Sequence, residues 1–348
     1  MTKRLKFMLK KELLQTLRDP RMRFVILIVP IFQTLVFGYA VTTDVKQVDT
    51  AIVDLANTER TRTITENFLA SGIFIQQPLP NDYQSAWEAM NQGKVQAMIL
   101  FNSNGQMQFV TDGSRGMSAG VTAGYASAIL TKNQQPPISI ESRAWYNPFL
   151  ESRNFYVPGV IAMMVMVITL ILSSMAVVRE KEIGTMEQIM VTPMKRWEFI
   201  VGKLLPFGLI GMVNVLVVTA VAVFWFNIPL HGSLPLLMLA SVLYLMNTLG
   251  MGLLISTVSR TQQQAMLSAF FVIFPASLLS GFAFPIANMP QIIRFFTYFN
   301  PMRYMMTILR DLFLKGNGLP VLWPNYLGML LLGITLLTTA TLRFKKTG

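Results

Sequence analysis

Long apolar runs alternate with polar segments along this chain, and each run has about the length that a helix needs to cross a bilayer. The first run precedes a polar stretch, 44–152, and the other runs follow within 153–348. We therefore predict an α-helical polytopic membrane protein with six transmembrane helices and an inserted extracytoplasmic α/β domain. The predicted spans are 24–43, Tyr156–Val178, Leu204–Phe226, Leu234–Thr257, Ala265–Ala283 and Leu322–Leu342.

The segment 1–23 carries eight basic side chains against two acidic ones. Its apolar residues share one helical face, which Glu12 and Thr16 interrupt. We predict an amphipathic helix in the cytoplasmic interface that ends at Asp19-Pro20, with a disordered basic tail as the alternative. The next run, 24–43, is interpreted as an uncleaved span rather than a signal peptide, because it exceeds a usual signal core. The apolar face consists of Leu5, Met8, Leu9, Leu13 and Leu17.

The polar stretch 44–152 has the size of one domain and no apolar run of membrane-spanning length. Short strand-like runs alternate with helical periodicity, which predicts a compact α/β fold. Asn102 to Gly105 has hairpin turn chemistry, and Asn81 or Asp82 would cap a helix. Because the stretch follows the first span, we predict that it lies outside the cytoplasm. The predicted strands are Thr50–Val53, Ile73–Ile75, Val95–Phe101, Met107–Val110 and Ile138–Ala144, and the predicted helices are Thr58–Leu69, Tyr83–Met90 and Gly116–Leu130.

A charged segment, 179–203, separates the second and third predicted spans. Its basic residues place it, and both chain termini, on the cytoplasmic side. Gly184-Thr185 is predicted to open a short helix, with Glu187 in the first turn, where negative charge is favourable. Thr192-Pro193 would end that helix, because proline lacks the amide that a helix interior needs. The segment either receives force from a partner or is a solvated basic loop.

Helix-breaking residues follow the fifth predicted span. Pro275 lies within the span, and Pro285 and Pro290 come after it. Backbone groups freed by proline and glycine at membrane depth need partners from protein or from a watery cavity. We therefore predict that 284–321 is an outer re-entrant segment, with Ile292 to Phe299 lying against the outer leaflet. The alternative is an ordinary kinked span followed by a surface loop.

Composition supports the membrane assignment and excludes several functions. The chain is 53% hydrophobic and 13% charged, with a mean hydropathy of +0.48. Its net charge of +12 does not indicate nucleic-acid binding, because the basic residues cluster at the ends of apolar runs, where they meet lipid headgroups. Cysteine is absent, and therefore so are disulfides and thiolate metal sites.

The predicted spans contain no Asp, Glu, Lys, Arg or His, which disfavours an ion-coupled carrier. A phosphate-binding loop is also missing, because Trp197 stands where the first glycine before Gly202-Lys203 would be needed. We therefore predict that the chain is not an enzyme by itself, and that energy for transport comes from another subunit.

Two groups of residues, together with the six-span layout, resemble the permease subunits of bacterial ATP-binding cassette exporters of the ABC type 2 family. The resemblance is to the branch of that family that has a large extracytoplasmic domain after the first span. It covers nearly the whole chain. The first group is Arg179, Glu180, Gly184, Thr185, Glu187, Thr192 and Pro193, followed by Gly202 and Lys203. The second group is Ser280, Gly281, Phe284, Pro285, Met289 and Pro290, followed by Asn300, Pro301 and Arg310.

The resemblance implies partners and roles. The chain would pair with a second permease, identical or related, in the bacterial inner membrane, and each permease would dock on a separate cytoplasmic ATPase. That ATPase would bind ATP and magnesium, and this chain would bind no cofactor. Gly184 to Met190 would form the coupling helix in the ATPase groove. The extracytoplasmic domain would gate the exit or meet a periplasmic adaptor.

Two functional hypotheses remain open at this point. A lateral cavity lined by spans one, two and five, rich in Phe and Met, would suit hydrophobic or amphipathic cargo, drug-like or lipid-like, because Met adapts to varied shapes. Alternatively, those residues face membrane lipid and neighbouring helices. The competing function is a mechanotransmission protein, which acts on periplasmic partners without passing substrate through the membrane and would have four spans.

Overall fold

The computed structural model describes residues 3–18, 20–40, 47–112, 116–133, 151–184 and 196–343. The chain divides into two compact units. The helical unit comprises Met1–Thr42 and Glu151–Gly348. The α/β unit comprises Thr43–Leu150.

The helical unit begins with the predicted amphipathic helix, α1 (Lys3–Arg18). Helix α2 (Pro20–Arg23) starts on a proline, which is tolerated in a first turn, where no intrahelical amide bond is needed. A π-helical turn, Phe24–Ile28, then leads into α3 (Val29–Ala40). The apolar part of this region, Ile26–Tyr39, is shorter than the span predicted at 24–43.

The α/β unit contains a four-stranded sheet, β1 (Val48–Asp54), β2 (Phe74–Gln76), β3 (Ala97–Phe101) and β4 (Met107–Thr111), in the order β2-β1-β3-β4. Strand β1 pairs in parallel with β2 and β3, and β3 pairs with β4 as an antiparallel hairpin. The hairpin was predicted from its turn residues. The strand predicted at Ile138–Ala144 lies outside the described residues.

Three helices cover the sheet: α4 (Glu59–Ala70), α5 (Tyr83–Asn91) and α6 (Gly116–Asn133). Of the two caps proposed for α5, Asp82 is the one observed, since its carboxylate accepts the amide proton of Ser85. Two apolar clusters form, one joining the sheet to residues of α4 and α6 and the other joining it to α5. This α/β arrangement follows the predicted succession of elements.

The rest of the helical unit contains seven further helices among its described residues. Four of them are long and apolar enough to cross a membrane: α7 (Ser152–Ile183), α8 (Arg196–Ala220, continued by the π-turn Val221–Trp225), α9 (Leu234–Val258) and α13 (Leu319–Arg343). Helix α10 (Gln262–Leu278) has 17 residues, and it precedes the short helices α11 (Gln291–Phe296) and α12 (Pro301–Arg310).

Several helix ends differ from the predicted boundaries. Helix α7 continues to Ile183 and α8 begins at Arg196, so both run into the segment predicted as a loop. Hydropathy marks where apolar residues stop, whereas Glu, Lys and Arg are good helix formers and continue the helix. Helix α10 passes through Pro275, which was predicted to lie within the span, and ends at Leu278, before the predicted end at Ala283.

Helix α7 is the centre of the helical unit and contacts α3, α8, α9, α10 and α12. Small residues permit this packing, since a Cβ atom on Gly252 of α9 would lie 1.8 Å from Ser173 Oγ of α7. The Thr169 and Thr248 hydroxyls, 2.8 Å apart, form a buried hydrogen bond between the same two helices. Polar residues inside the predicted spans therefore act here as contacts between helices.

Candidate functional site

The first group of predicted site residues is only partly described. Arg179 and Glu180 belong to the last turns of α7, which corrects their predicted place in a loop. Gly184 ends α7 in the left-handed conformation, with φ of +79°, and donates its amide proton to the Lys181 carbonyl. Glycine suits this end because it has no Cβ. Thr185, Glu187, Met190, Thr192 and Pro193, with the predicted coupling helix, lie outside the described residues.

A buried ion cluster lies beside the ends of this segment. The Lys203 ammonium donates to Glu12 Oε1 at 2.7 Å and to Glu180 Oε1 at 2.5 Å. All three residues are about 5% exposed or little more. Buried charges are retained only when they are paired, so these three side chains hold one another in place. We call the region of Glu12, Glu180, Glu182 and Lys203 the charged end.

The three partners come from separate parts of the chain. Glu12 lies on α1, Glu180 on the last turns of α7, and Lys203 on the first turns of α8. Helix α1 packs against α8 closely enough that a Cβ atom on Gly202 would approach Met8 Sδ to 2.6 Å. The cluster thus joins α1 to the helices that enter and leave the 184–195 segment.

Glu182 makes a fourth connection at the charged end. Its carboxylate accepts the backbone amide proton of Gln262 at 2.8 Å and also accepts from the Gln262 side chain. These hydrogen bonds favour the ionised carboxylate and lower the pKa of Glu182 below its ordinary value. Because Gln262 is the first residue of α10, the carboxylate also complements the positive end of that helix.

The second group of predicted site residues forms a reversal after α10. Gly281 has φ of +85°, a conformation that other residues rarely adopt. The Ser280 hydroxyl donates to the Ser277 carbonyl and accepts the Phe282 amide proton, which fixes the turn. Arg310, at the end of α12, donates to the Gly281 carbonyl at 2.8 Å. The geometry therefore brings together Ser280, Gly281 and Arg310.

Aromatic rings surround this reversal. The Arg310 guanidinium carbon lies 3.7 Å from the centre of the Phe155 ring. Phe282 contacts Phe37 and Tyr156 edge-to-face, with ring centres 6.1 and 6.2 Å apart. We call the region of Phe37, Phe155, Tyr156, Phe282 and Arg310 the aromatic end.

Asn300 ties the start of α12 to the end of α10. Its side-chain oxygen accepts the Met302 amide proton, while its amide nitrogen donates to the Ala276 carbonyl at 2.7 Å. Pro301 then occupies the first position of α12, where no amide proton is required. The Asn300-Pro301 pair therefore both starts a helix and satisfies a carbonyl next to Pro275.

The remaining residues of the second group are not part of the aromatic end. Phe284, Pro285 and Pro290 are exposed, and Met289 is half-buried. Ile292 and Phe295, on the short helix α11, are 75% and 60% exposed. That α11 lies against a leaflet, as part of a re-entrant segment, stays a prediction.

The two ends lie far apart on one helix. Tyr156 and Glu180 are 24 positions apart on α7, which corresponds to about 36 Å at 1.5 Å per residue. The predicted residues therefore fall into two sites, linked by helix α7. Among the described residues, no group of three or more His, Cys, Asp or Glu side chains is placed to hold a metal ion.

Glu12 is the functional candidate that sequence reasoning missed. It was noted only as an interruption of the apolar face of α1. An acidic residue on a face that must be buried needs a cationic partner, and that partner is Lys203. The pairing was not predictable because 191 positions separate the two residues.

Comparison with known proteins bears on what these two sites do. The family model described as "ABC-2 family transporter protein" matches residues 20–342. The chain is 30% identical to the "Probable multidrug ABC transporter permease YbhR" of Escherichia coli K12, over 99% of this chain and 98% of that protein. It is 33% identical to the "Probable multidrug ABC transporter permease YbhS" of the same strain, over 97% of each chain.

Proposed function

Because the chain belongs to the ABC-2 family of transporter proteins, we propose that it is the membrane-spanning permease subunit of an ATP-driven exporter. A second permease, a copy or a related chain, completes the pathway. A separate cytoplasmic ATPase binds ATP and magnesium and supplies the energy. The chain itself hydrolyses nothing.

The observation that carries this proposal is the ion cluster at the charged end. The helices on both sides of the 184–195 segment are fixed to each other and to α1 through Lys203. A force applied by the ATPase to that segment therefore reaches α7, α8 and α1 together. Helix α7 reaches from the charged end to the aromatic end, so a shift of this helix would carry the displacement there.

At the aromatic end, we propose that the reversal around Gly281 closes the exit in the resting state. It is held to α7 by Phe282 packing on Tyr156, and to α12 by Arg310. A shift of α7 relative to α12 would separate these contacts and release cargo outward. The predicted re-entrant segment, including Pro285, Met289 and Pro290, would move with the reversal.

The proposed topology has six spans in the bacterial inner membrane, with both termini cytoplasmic. Besides the four long helices, α3 and α10 pack against α7 within the same unit, which supports counting them as the first and fifth spans. The charged end then faces the cytoplasm, and the α/β unit lies outside it. A periplasmic adaptor and membrane lipid are proposed as further partners.

The mechanotransmission alternative predicts four spans. Four of the described helices are both long enough and apolar enough to cross a membrane. That count does not favour the alternative, because α3 and α10 are integral to the same helical core. The full-length relatives bear names of permeases. These names also support a hydrophobic or amphipathic, drug-like cargo here, since both relatives are called probable multidrug transporter permeases.

Reconstitution tests the proposed function. Three proteoliposome samples contain the chain alone, the ATPase alone or both together. ATP hydrolysis is measured in each sample. Uptake of a hydrophobic dye is measured into those vesicles in which the chain is inverted, with its cytoplasmic side outward. Hydrolysis and uptake are expected only in the combined sample, and a Walker-type lysine variant of the ATPase should abolish both. Dye uptake by the chain alone under a proton gradient, without the ATPase, would instead identify an ion-coupled carrier.

A further inference from the structure

Helix α12 buries an apolar face and leaves a cationic face open. The open face carries Arg303, Thr307 and Arg310, of which Thr307 is exposed and both arginines are half-buried. The two arginines are seven positions apart, so they share one face at a separation of about 10 Å along the helix axis. We call Arg303, Thr307 and Arg310 the arginine stripe. The residues of the opposite face, each at most 1% exposed, are Met302, Met305, Met306, Ile308 and Leu309.

An aromatic ring covers one face of each guanidinium in the arginine stripe. The guanidinium carbon of Arg303 lies 3.8 Å from the centre of the Tyr298 ring, and that of Arg310 lies 3.7 Å from the centre of the Phe155 ring. Stacking uses the faces of this planar group, whereas its N–H donors point outward in the plane. The rings therefore hold both cations in place without using their hydrogen-bond donors.

Most of these donors have no acceptor among the described residues. Arg303 donates from Nη1 to the Thr297 hydroxyl, and Arg310 donates from Nη2 to the Gly281 carbonyl. The Nε of Arg310 is buried and has no hydrogen-bond partner in the described part of the chain. Since each guanidinium offers five N–H donors, the stripe has a surplus of donors in this state of the protein.

The positive charge of the stripe is also not balanced by a described acid. Neither Arg303 nor Arg310 forms an ion pair with a carboxylate of the described residues. Asp311, the next residue, is buried and pairs with Lys315 at 2.8 Å instead. Two such guanidiniums attract an anion, and their planar donor edges match the oxygens of a carboxylate, phosphate or sulfonate.

Exposed rings beside the stripe offer an apolar surface as well. Tyr298, which stacks on Arg303, is 49% exposed, and its neighbour Phe299 is 62% exposed. The Phe299 ring centre lies 5.7 Å from that of Phe295, which is 60% exposed. A molecule with one anionic group and one apolar body would therefore find partners for both parts here.

We propose that the arginine stripe recognises the anionic group of an amphipathic cargo at the exit. This inference rests on the proposed function and narrows its cargo to amphiphiles that carry a carboxylate, phosphate or sulfonate. The oxyanion lies between Arg303 and Arg310, and the apolar body lies on the exposed rings. The proposed opening separates Arg310 from Phe155 and Gly281, and the oxyanion then accepts the N–H donors that this movement frees.

Protection of a cysteine in the stripe tests this proposal, because the chain has no cysteine of its own. The full chain carrying Thr307→Cys, in phosphatidylcholine nanodiscs, is alkylated with N-ethylmaleimide, a neutral reagent. Two dyes with the same aromatic skeleton are compared as protectants: anilinonaphthalene sulfonate, and phenylnaphthylamine, which lacks the sulfonate. The sulfonate dye should protect at an about tenfold lower concentration in the bilayer, because its oxyanion accepts charge-assisted hydrogen bonds.

Ser233→Cys is the matched control. Ser233 is exposed, precedes α9 and is not part of the stripe. Neither dye should protect a thiol there. Equal protection of position 307 by both dyes would show an apolar contact without recognition of the anion. Protection by neither dye would show that the stripe does not bind such amphiphiles, and either result would overturn the proposal.

Arginine variants of the Thr307→Cys chain test whether the guanidiniums carry the preference. Arg303→Gln combined with Arg310→Gln should remove the preference for the sulfonate dye. Arg303→Lys combined with Arg310→Lys keeps both charges but loses the planar donor edges, and it should retain part of the preference. A preference that survives in the glutamine variant would contradict the assignment. The comparison of the two dyes on Thr307→Cys alone decides the question if the glutamine variant does not fold.

A second arm distinguishes cargo from a lipid headgroup. Phosphatidylglycerol replaces half of the phosphatidylcholine in the nanodiscs. This change should leave the alkylation rate at position 307 unchanged, and the sulfonate dye should still protect. Protection by phosphatidylglycerol in the absence of dye would assign the stripe to a lipid headgroup and overturn the proposal.

Transport by the chain together with its ATPase separates this inference from the proposed function. ATP-driven uptake of the sulfonate dye should exceed uptake of the neutral dye, and the glutamine variant should lose the difference. Uptake of neither dye, with the binding preference intact, would contradict the exporter but not the anion site. Equal uptake of both dyes, with no binding preference, would leave the exporter standing and overturn the anion site.

Discussion

At the charged end of the helical unit, three segments distant in sequence meet through buried ion pairs. At the aromatic end, the segments meet through rings and backbone carbonyls. Both ends share α7, yet substitutions should destabilise the two ends to different extents. Removing the shared cation from a buried ion cluster carries a large cost, whereas a ring contact contributes about 0.5–1.5 kcal/mol and can be lost alone. The comparison indicates one rigid end and one end suited to opening.

The largest effect is expected from Lys203→Met. The substitution keeps the length of the side chain but leaves Glu12 and Glu180 buried without their shared cation. We expect the free energy of unfolding to fall by about 3–5 kcal/mol, the usual cost of breaking a buried pair. The measurement is thermal unfolding of the purified chain in detergent.

Lys11→Met is the matched control for that variant. Lys11 lies 3.9 Å from the same Glu12 oxygen, but its side chain is 60% exposed. An exposed pair contributes about 0–1 kcal/mol, so the control should melt close to wild type. Similar destabilisation by both variants would contradict the buried cluster.

A smaller effect is expected at Gly184 and Gly281, which both adopt the left-handed conformation. Gly184→Ala at the charged end should cost about 1–2 kcal/mol for the backbone conformation alone, since no atom of the described residues lies within 4 Å of the added methyl group. Gly281→Ala should cost more, because its methyl group would also meet Ile286 Cγ1 at 3.3 Å. The melting temperatures of both variants, measured in the same detergent, show which substitution destabilises the chain more. A cost at Gly281 equal to or smaller than the cost at Gly184 would contradict the tight turn at the aromatic end.

The smallest effect concerns pH. Hydrogen bonds from Gln262 lower the pKa of Glu182, so the ionised carboxylate stabilises the fold. A lowered pKa contributes stability above the ordinary value of 4.5, and this contribution is lost as the pH falls through the folded-state pKa. Wild type should therefore melt slightly above Glu182→Gln at pH 7, with the difference vanishing below pH 4.5. A difference that persists unchanged in acid would refute the assigned cause.

The sequence predicted local structure better than the contacts between distant segments. The strands and helices of the α/β unit follow from alternation and caps, as at Asp82, because both are set by near neighbours. Helix ends in the helical unit were predicted less well, because hydropathy does not mark where α7 stops at Gly184. The interruption after the fifth predicted span was visible in the sequence, because glycine and proline disfavour a continuous helix.

The contacts that define the charged end could not be predicted. The pairing of Glu12 with Lys203 depends on how α1 packs against α8, and the sequence shows only an acid on an apolar face. The aromatic end was recognised as a motif, but not the stacking of Arg310 on Phe155, since the two are on different helices. Long-range packing decides both cases.

In the proposed function, the ATPase docks at the charged end and not at the aromatic end. Because the chain has no cysteine, single cysteines report cleanly. Ile183 and Phe284 are matched positions, 61% and 60% exposed, one near each end. Ile183→Cys and Phe284→Cys are each treated with a short bifunctional crosslinker in membranes that contain the ATPase. We expect a crosslink to the ATPase from position 183 alone, and a crosslink from position 284 alone would contradict docking at the charged end.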